Sequence, residues 1–192
     1  FVNWEDDHPV DQKPPYGIAG WQEGDEAVLL HDKYDLWEVR PDGSGAKRLT
    51  EGSEQQIQHR YVKLDPDEEF IDRAKPIYLS LYGEWSKKFG FARLGANSKP
   101  EQLAWSDSKL RQLTKASDAE VYAYFADNFA DSPDYFTAGS DLARPRQVSE
   151  TNPFQEDYAW GRSELIEYTN HLTSRSATIM DLVYPCSRTV LS

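Results

Sequence analysis

Tyr34-Asp35-Leu36-Trp37, then Pro41-Asp42-Gly43-Ser44-Gly45, then Arg48-Leu49-Thr50 is the stretch that decides the fold. It reads as a hairpin. A short strand carries the aromatic, a turn follows, and a second short strand ends on an aliphatic residue. Asp-Gly is a strong turn signal, because Gly tolerates positive φ and Asp bonds its own backbone. The pattern returns twice without gaps. Lys88-Phe89-Gly90-Phe91 leads through Gly95-Ala96-Asn97-Ser98 to Gln102-Leu103-Ala104, and Pro133-Asp134-Tyr135-Phe136 leads to Gln147-Val148-Ser149. Trp37, Phe91 and Phe136 take one position, spaced by 54 and then 45 residues. Leu49, Leu103 and Val148 take another, 12 residues later each time. Ala46, Pro100 and Pro145 also coincide, as do Arg48, Gln102 and Gln147.

Working outward, each hairpin has two more strand candidates before it. Immediately upstream are residues 26–31, 77–82 and 120–125, and before these 17–21, 61–64 and 109–115. Four short strands in a period of about 45 residues is the arithmetic of a β-propeller blade. A single four-stranded sheet cannot bury both faces, so neighbouring blades stack and bury them jointly. The repeated aromatic is expected between blades. A β-sandwich with chance similarity is the competing architecture. The expected fold is all-β: a partial β-propeller over residues 1–158, with blades at about 17–50, 57–104 and 109–149. Closed propellers use about 4 to 8 blades. Three leave the ring open, with bare end faces and unpaired edges that favour aggregation and poor solubility.

Composition narrows the classes. The chain has 192 residues, with 39% hydrophobic and 13% aromatic. Six Trp, eleven Tyr and eight Phe are too many large side chains for a disordered segment. No apolar run approaches the ~20 residues that span a bilayer. The net charge of −12 repels phosphate backbones, so nucleic acid is not an expected partner. One Cys forbids an internal disulfide or a multi-Cys metal site. The chain opens on Phe1 and its only Met is Met180, which reads as a processed or truncated chain.

The flanks differ from the repeats. Residues 1–15 are acidic and Pro-containing, an entry into the first blade. Residues 64–69 form an acidic loop, where a short helical turn could begin near Pro66. Residues 151–158 are a polar link. Trp160-Gly161-Arg162-Ser163-Glu164-Leu165-Ile166-Glu167-Tyr168-Thr169 alternates as a strand, and 177–184 is another candidate. These two strands leave the blade register, so residues 159–192 read as exit strands toward a different module.

The ordered stretches resemble a known family. Tyr16-Gly17-Ile18-Ala19-Gly20-Trp21, His31-Asp32-Lys33-Tyr34-Asp35-Leu36-Trp37-Glu38-Val39, and Pro76-Ile77-Tyr78-Leu79-Ser80-Leu81-Tyr82-Gly83-Glu84 look like blades of the prolyl oligopeptidase family of serine peptidases. Ser132-Pro133-Asp134-Tyr135-Phe136 fits as well, and Trp160-Gly161 with Glu164-Leu165-Ile166-Glu167-Tyr168 resembles the exit from such a propeller. The resemblance covers about residues 1–170 and rests on the order of the stretches, none of which is diagnostic alone. It implies a propeller lying over an α/β-hydrolase domain, the natural packing partner, and admitting short peptides to it. It implies a Ser nucleophile on a strand-to-helix elbow, then Asp, then His, all outside this chain. It also implies an exported bacterial enzyme, periplasmic or secreted. Asn170 and Tyr184-Pro185 fit the family pattern. Leu172-Thr173-Ser174-Arg175-Ser176 lacks the expected Gly, and residues 186–192 do not read as a lead into a hydrolase.

Residue by residue, no catalytic, cofactor-binding or metal-binding position emerges, and no cofactor is expected. There is no Gly-x-Ser-x-Gly. Ser44 lies between Gly43 and Gly45 but in a hairpin turn without a following helix. Ser163 opens a strand, and Cys186 has no evident His partner. His8, His31, His59 and His171 show no metal-ligand spacing. His31 beside Asp32 reads as a solvent-facing pair at a blade edge. Asp65-x-Asp67-x-Glu69 lacks the Gly and register of a calcium loop and reads as solvated. Carboxylates around a propeller channel would suit a glycosidase, but no sugar-stacking pattern accompanies them. The expected role is the non-catalytic propeller of a serine peptidase, gating peptides and inactive alone. The alternative is a non-enzymatic propeller that binds proteins.

Overall fold

The computed structural model describes residues 1–7, 9–170 and 175–183. Three four-stranded antiparallel sheets follow one another along the chain, each a simple meander. The first contains β1 (Ile18–Trp21), β2 (Val28–His31), β3 (Leu36–Val39) and β4 (Ala46–Arg48). The second contains β5 (Ile57–Val62), β6 (Ile77–Gly83), β7 (Phe89–Leu94) and β8 (Glu101–Ser106). The third contains β9 (Lys109–Lys115), β10 (Tyr122–Asn128), β11 (Asp131–Ala138) and β12 (Arg146–Gln147). β13 (Arg162–Asn170) and β14 (Arg175–Val183) pair only with each other, in a separate two-stranded sheet. The chain is an all-β partial β-propeller of three blades. The sandwich reading falls away.

The packing follows from the two faces of the middle sheet. Ile77, Leu79 and Leu81 alternate with Tyr78 along β6, so the strand is apolar on both sides. The first set packs with Leu29, Leu36, Ile71, Ala92 and Leu94 into one core between the first two sheets. Tyr78 and Phe91 pack with Leu110, Leu113, Tyr122, Tyr124 and Leu142 into a second core between the last two. Tyr78 and Tyr122 are tilted with centroids 5.1 Å apart, and the Tyr78 hydroxyl donates to the Ser140 carbonyl at 3.0 Å. Leu29, Leu36 and Leu79 are completely buried. Burying a Leu stabilises by roughly 1.5–3 kcal/mol, so these two seams hold the array.

The repeated aromatics do not share a face. Trp37 turns away from the middle sheet and meets Phe1 edge-on at 5.8 Å. Phe136 points back toward the middle sheet and stacks on Tyr124 at 5.8 Å. These two are true equivalents, pairing with Arg48 and Gln147. Phe91 instead points forward to the third sheet, and it pairs with Ala104 beside a register shift, not with Gln102. A slip of one residue reverses the face of every side chain in a strand, so the gapless alignment places the middle copy on the wrong side.

A second correspondence is stronger. Asp35 and Asp134 lie 99 residues apart, and so do Thr50 and Ser149. The Thr50 hydroxyl donates to Asp35 at 2.6 Å and accepts from Leu36 N at 3.0 Å. The Ser149 hydroxyl donates to Asp134 at 2.7 Å and accepts from Tyr135 N at 2.8 Å. Asp35 also accepts the backbone N–H of Gly52 and of Ser53, and Asp134 that of Thr151 at 2.9 Å. Each carboxylate is buried and pins its sheet's fourth strand onto the third. In the middle sheet the gapless alignment puts Phe89 and Ala104 at these places.

Short connections complete the fold. The N-terminal segment is closed by a Val2–Pro15 bridge and by Tyr16 N to Phe1 O at 3.0 Å. The helical turn expected near Pro66 is a hydrogen-bonded turn instead, with the Asp65 side chain accepting Asp67 N at 2.9 Å. A helical turn, α1 (Gly52–Gln55), joins the first two sheets. A Cβ on Gly52 would sit 2.2 Å from the Ile57 carbonyl oxygen and 2.7 Å from that of Tyr34, so only glycine fits. The expectations at His8, His171 and Leu172, and at Tyr184-Pro185 and Cys186, concern residues outside those described.

Candidate functional site

The turn between the second and third strands of the first sheet brings polar groups from three segments together. Asp32 shapes that turn: its carboxylate accepts Tyr34 N at 2.8 Å, Asp35 N at 2.6 Å and Trp37 Nε1 at 2.6 Å. The turn projects Lys33 and Tyr34. Lys33 Nζ lies 2.6 Å from Glu5 of the N-terminal segment and 3.3 Å from Glu84 of the middle sheet. The Tyr34 hydroxyl donates to Glu84. Arg60 of β5 donates to the Lys33 carbonyl at 2.8 Å and to the His59 carbonyl at 3.0 Å.

The charges are mutually reinforcing. The hydrogen bond to Glu5, then those to Tyr34 and Glu84, raise the Lys33 pKa against the lowering effect of burial. Glu84 is held below its ordinary range, first by the Tyr34 hydroxyl and then by Lys33. Burial, then Glu84, raises Tyr34. Burial lowers Arg60. The cluster clamps the entry segment, the first blade and the second blade at one end of the array.

The weighed residues are now placed. His31 is a correction: it is buried on the face that carries Leu29 and Leu36, not solvent-facing. The backbone Asp32 N–H, Tyr34 N–H and Asp35 N–H all lie in the turn that the Asp32 carboxylate organises, and that carboxylate is engaged as described above. His31 Nδ1 is buried without a partner. Burial, then the Arg60 charge, pushes its pKa down to about 4, with Asp32 opposing. His59 is also buried and lowered, with Nδ1 at 3.0 Å from the Ile57 carbonyl oxygen. Ser44 is exposed in the β3–β4 turn, at the opposite end of the sheet from His31, and its N–H is bonded by Asp42 at 2.9 Å. Ser163 lies in β13. Of the acidic loop, Asp65 caps its own turn and Glu68 accepts the Tyr61 hydroxyl. Among the described residues, no group of three His, Cys, Asp or Glu is arranged to hold a metal ion. Sequence reading missed Lys33, Tyr34, Arg60 and Glu84 as one cluster. Their partners are far apart in the chain, so no local spacing marks them.

No helix among the described residues is long and apolar enough to cross a membrane. No family model and no curated protein matches the chain. Among solved structures it is similar to the AtxE2 isopeptidase, an S527A variant with Astexin3-dC4 bound, at a TM-score of 0.55 and 15% identity over 87% of this chain. It is also similar to the apo AtxE2 isopeptidase, at 0.53 and 16% over 87%. The chain spans 25% of the length of either neighbour. At this identity the likeness speaks for the fold.

Proposed function

We propose that this chain is a propeller segment of a prolyl oligopeptidase-like serine peptidase, gating the access of peptides to a Ser-Asp-His site outside it. The observation that carries the reading is the shared fold over 87% of the chain with an isopeptidase of which it spans only a quarter. A propeller lid needs rigid blades and a fixed edge. Two apolar seams supply the first, and the Lys33–Glu5–Glu84 clamp supports the second. Such a lid would select by size, because a propeller opening that admits a short extended peptide is too narrow for a folded protein. The described residues supply binding surface and geometry to that reaction, not the nucleophile.

The test is to label the full-length product of the encoding gene with a fluorophosphonate and to map the modified residue. A single labelled serine beyond Ser192, with cleavage of short chromogenic peptides and none of folded proteins, is expected. Labelling at Ser44 or Ser163 overturns the non-catalytic role. No labelling, together with no peptidase activity, favours a non-enzymatic binding propeller.

A further inference from the structure

The third sheet carries a groove that the gating role does not use. It lies between the β10–β11 turn and residues 152–160, with a volume of about 540 Å³. Phe129 stands on the turn, Phe154 on a 3-10 turn (Pro153–Asp157), and Tyr158 and Trp160 on the segment before β13. All four rings are well exposed, from 45% for Trp160 to 65% for Tyr158. Leaving so much aromatic surface in water is unfavourable, and contiguous exposed apolar patches mark interaction sites.

The rings are held in place. Gln155 ties the two walls together: its Oε1 accepts Ser132 N at 3.0 Å and its Nε2 donates to Asp131 at 2.6 Å. Trp160 Nε1 donates to the Gln155 carbonyl at 2.7 Å. A groove fixed before binding loses less entropy on binding. The charged side chains of the lining are acidic. Among the described residues, Asp127 and Asp131 are the charged ones of the lining and no Lys or Arg lines it, and the chain carries −12 overall. Arg111, outside the lining, meets Asp127 at 3.1 Å and lies over the Phe125 ring, so it offsets that carboxylate and leaves Asp131 as the stronger anchor for a cation.

We propose that this groove binds an extended cationic peptide, seating proline or aliphatic side chains on Phe129, Phe154, Tyr158 and Trp160 and a Lys or Arg toward Asp127 and Asp131. Aromatic-lined grooves take up preformed extended segments at low entropic cost. A cation over Trp or Tyr adds attraction that an anion lacks. The inference rests on the groove alone and survives failure of the peptidase reading.

The experiment uses the 192-residue chain and a fluorescein-labelled peptide of alternating lysine and proline, read by fluorescence anisotropy. A glutamate–proline peptide of equal length is the control. Saturable binding of the lysine peptide is expected, weakening as salt rises, with no binding of the glutamate peptide. Phe154→Ala and Trp160→Ala are each expected to weaken it by about tenfold, and the Asp127→Asn/Asp131→Asn pair to reduce its salt dependence. Phe154 is 60% exposed and its loss leaves the Gln155 ties in place, so that variant reads binding even where Trp160→Ala disturbs folding. No saturable binding, equal binding of the two peptides, or unchanged affinity in Phe154→Ala overturns the proposal. Self-association that Phe154→Ala abolishes and the lysine peptide does not displace would assign the groove to a second copy and overturn it equally.

Discussion

The two outer blades and the middle blade close their fourth strands by different means. In the first and third, a buried aspartate gathers a hydroxyl and backbone N–H groups from the chain just past the last strand. The fourth strands there are three and two residues long. In the middle blade the aligned places hold Phe89 and Ala104, and the fourth strand runs six residues. The middle blade has a neighbour on each face, so packing holds its edge. An outer blade packs against a described blade on one face only, and a polar pin holds its fourth strand. A satisfied buried carboxylate costs little, but losing it strands its donors.

The largest test removes packing from the middle. Leu79→Ala is expected to cost about 4 kcal/mol, read as the urea midpoint. A loss below that of the pin variants would break the contrast. The pins come next. Asp35→Ala leaves the buried Gly52 N–H, the part-buried Ser53 N–H and the Thr50 hydroxyl without their acceptor, and is expected to cost about 3 kcal/mol. Asp134→Ala strands one backbone N–H and is expected to cost about 2 kcal/mol. Equal losses would deny that the number of backbone donors matters.

Acid sharpens the contrast between seams. His31 borders the first seam, whereas the buried side chains of the second are Tyr, Phe and Leu. Its folded pKa is about 4, below the unfolded 6.5. The unfolded chain therefore binds the proton more readily. The contribution is complete above pH 6.5 and is lost as pH falls through about 4. Hydrogen exchange across this window should loosen the first seam before the second, and His31→Gln should narrow the difference, with the remainder left to His59, whose pKa burial also lowers. The mildest change is Lys33→Ala. The clamp is partly solvent-screened, so the cost should stay under about 1 kcal/mol, with faster proteolysis of residues 1–16 as the readout.

Much of this was legible. The 12-residue hairpin spacing and the Asp-Gly turn carry the four-strand period. Asp35 with Thr50, and Asp134 with Ser149, stood inside the aligned stretches, but a polar pair beside a conspicuous aromatic reads as a strand flank. Phe91 misled because an aromatic suits either face of a sheet buried on both sides, and spacing one residue off looks the same in sequence. His31 follows Leu29 in the alternation Val28-Leu29-Leu30-His31, which already assigns it to the buried face. The groove was not legible, since Gln155 ties the segment carrying Phe154 and Trp160 to the Phe129 turn through Ser132 and Asp131, 23 and 24 residues away.

The pins also set an order of events during synthesis. Each spans 15 to 18 residues, so its loop closes at small entropic cost. The first blade can latch soon after Ser53 leaves the ribosome, before the middle sheet has been translated. The middle blade has no such latch and must wait for Leu110 and Tyr122 to emerge before its second face is covered. Translation pausing after Ser106 would therefore hold the nascent chain at its stickiest moment, with a bare tyrosine–phenylalanine face presented to chaperones.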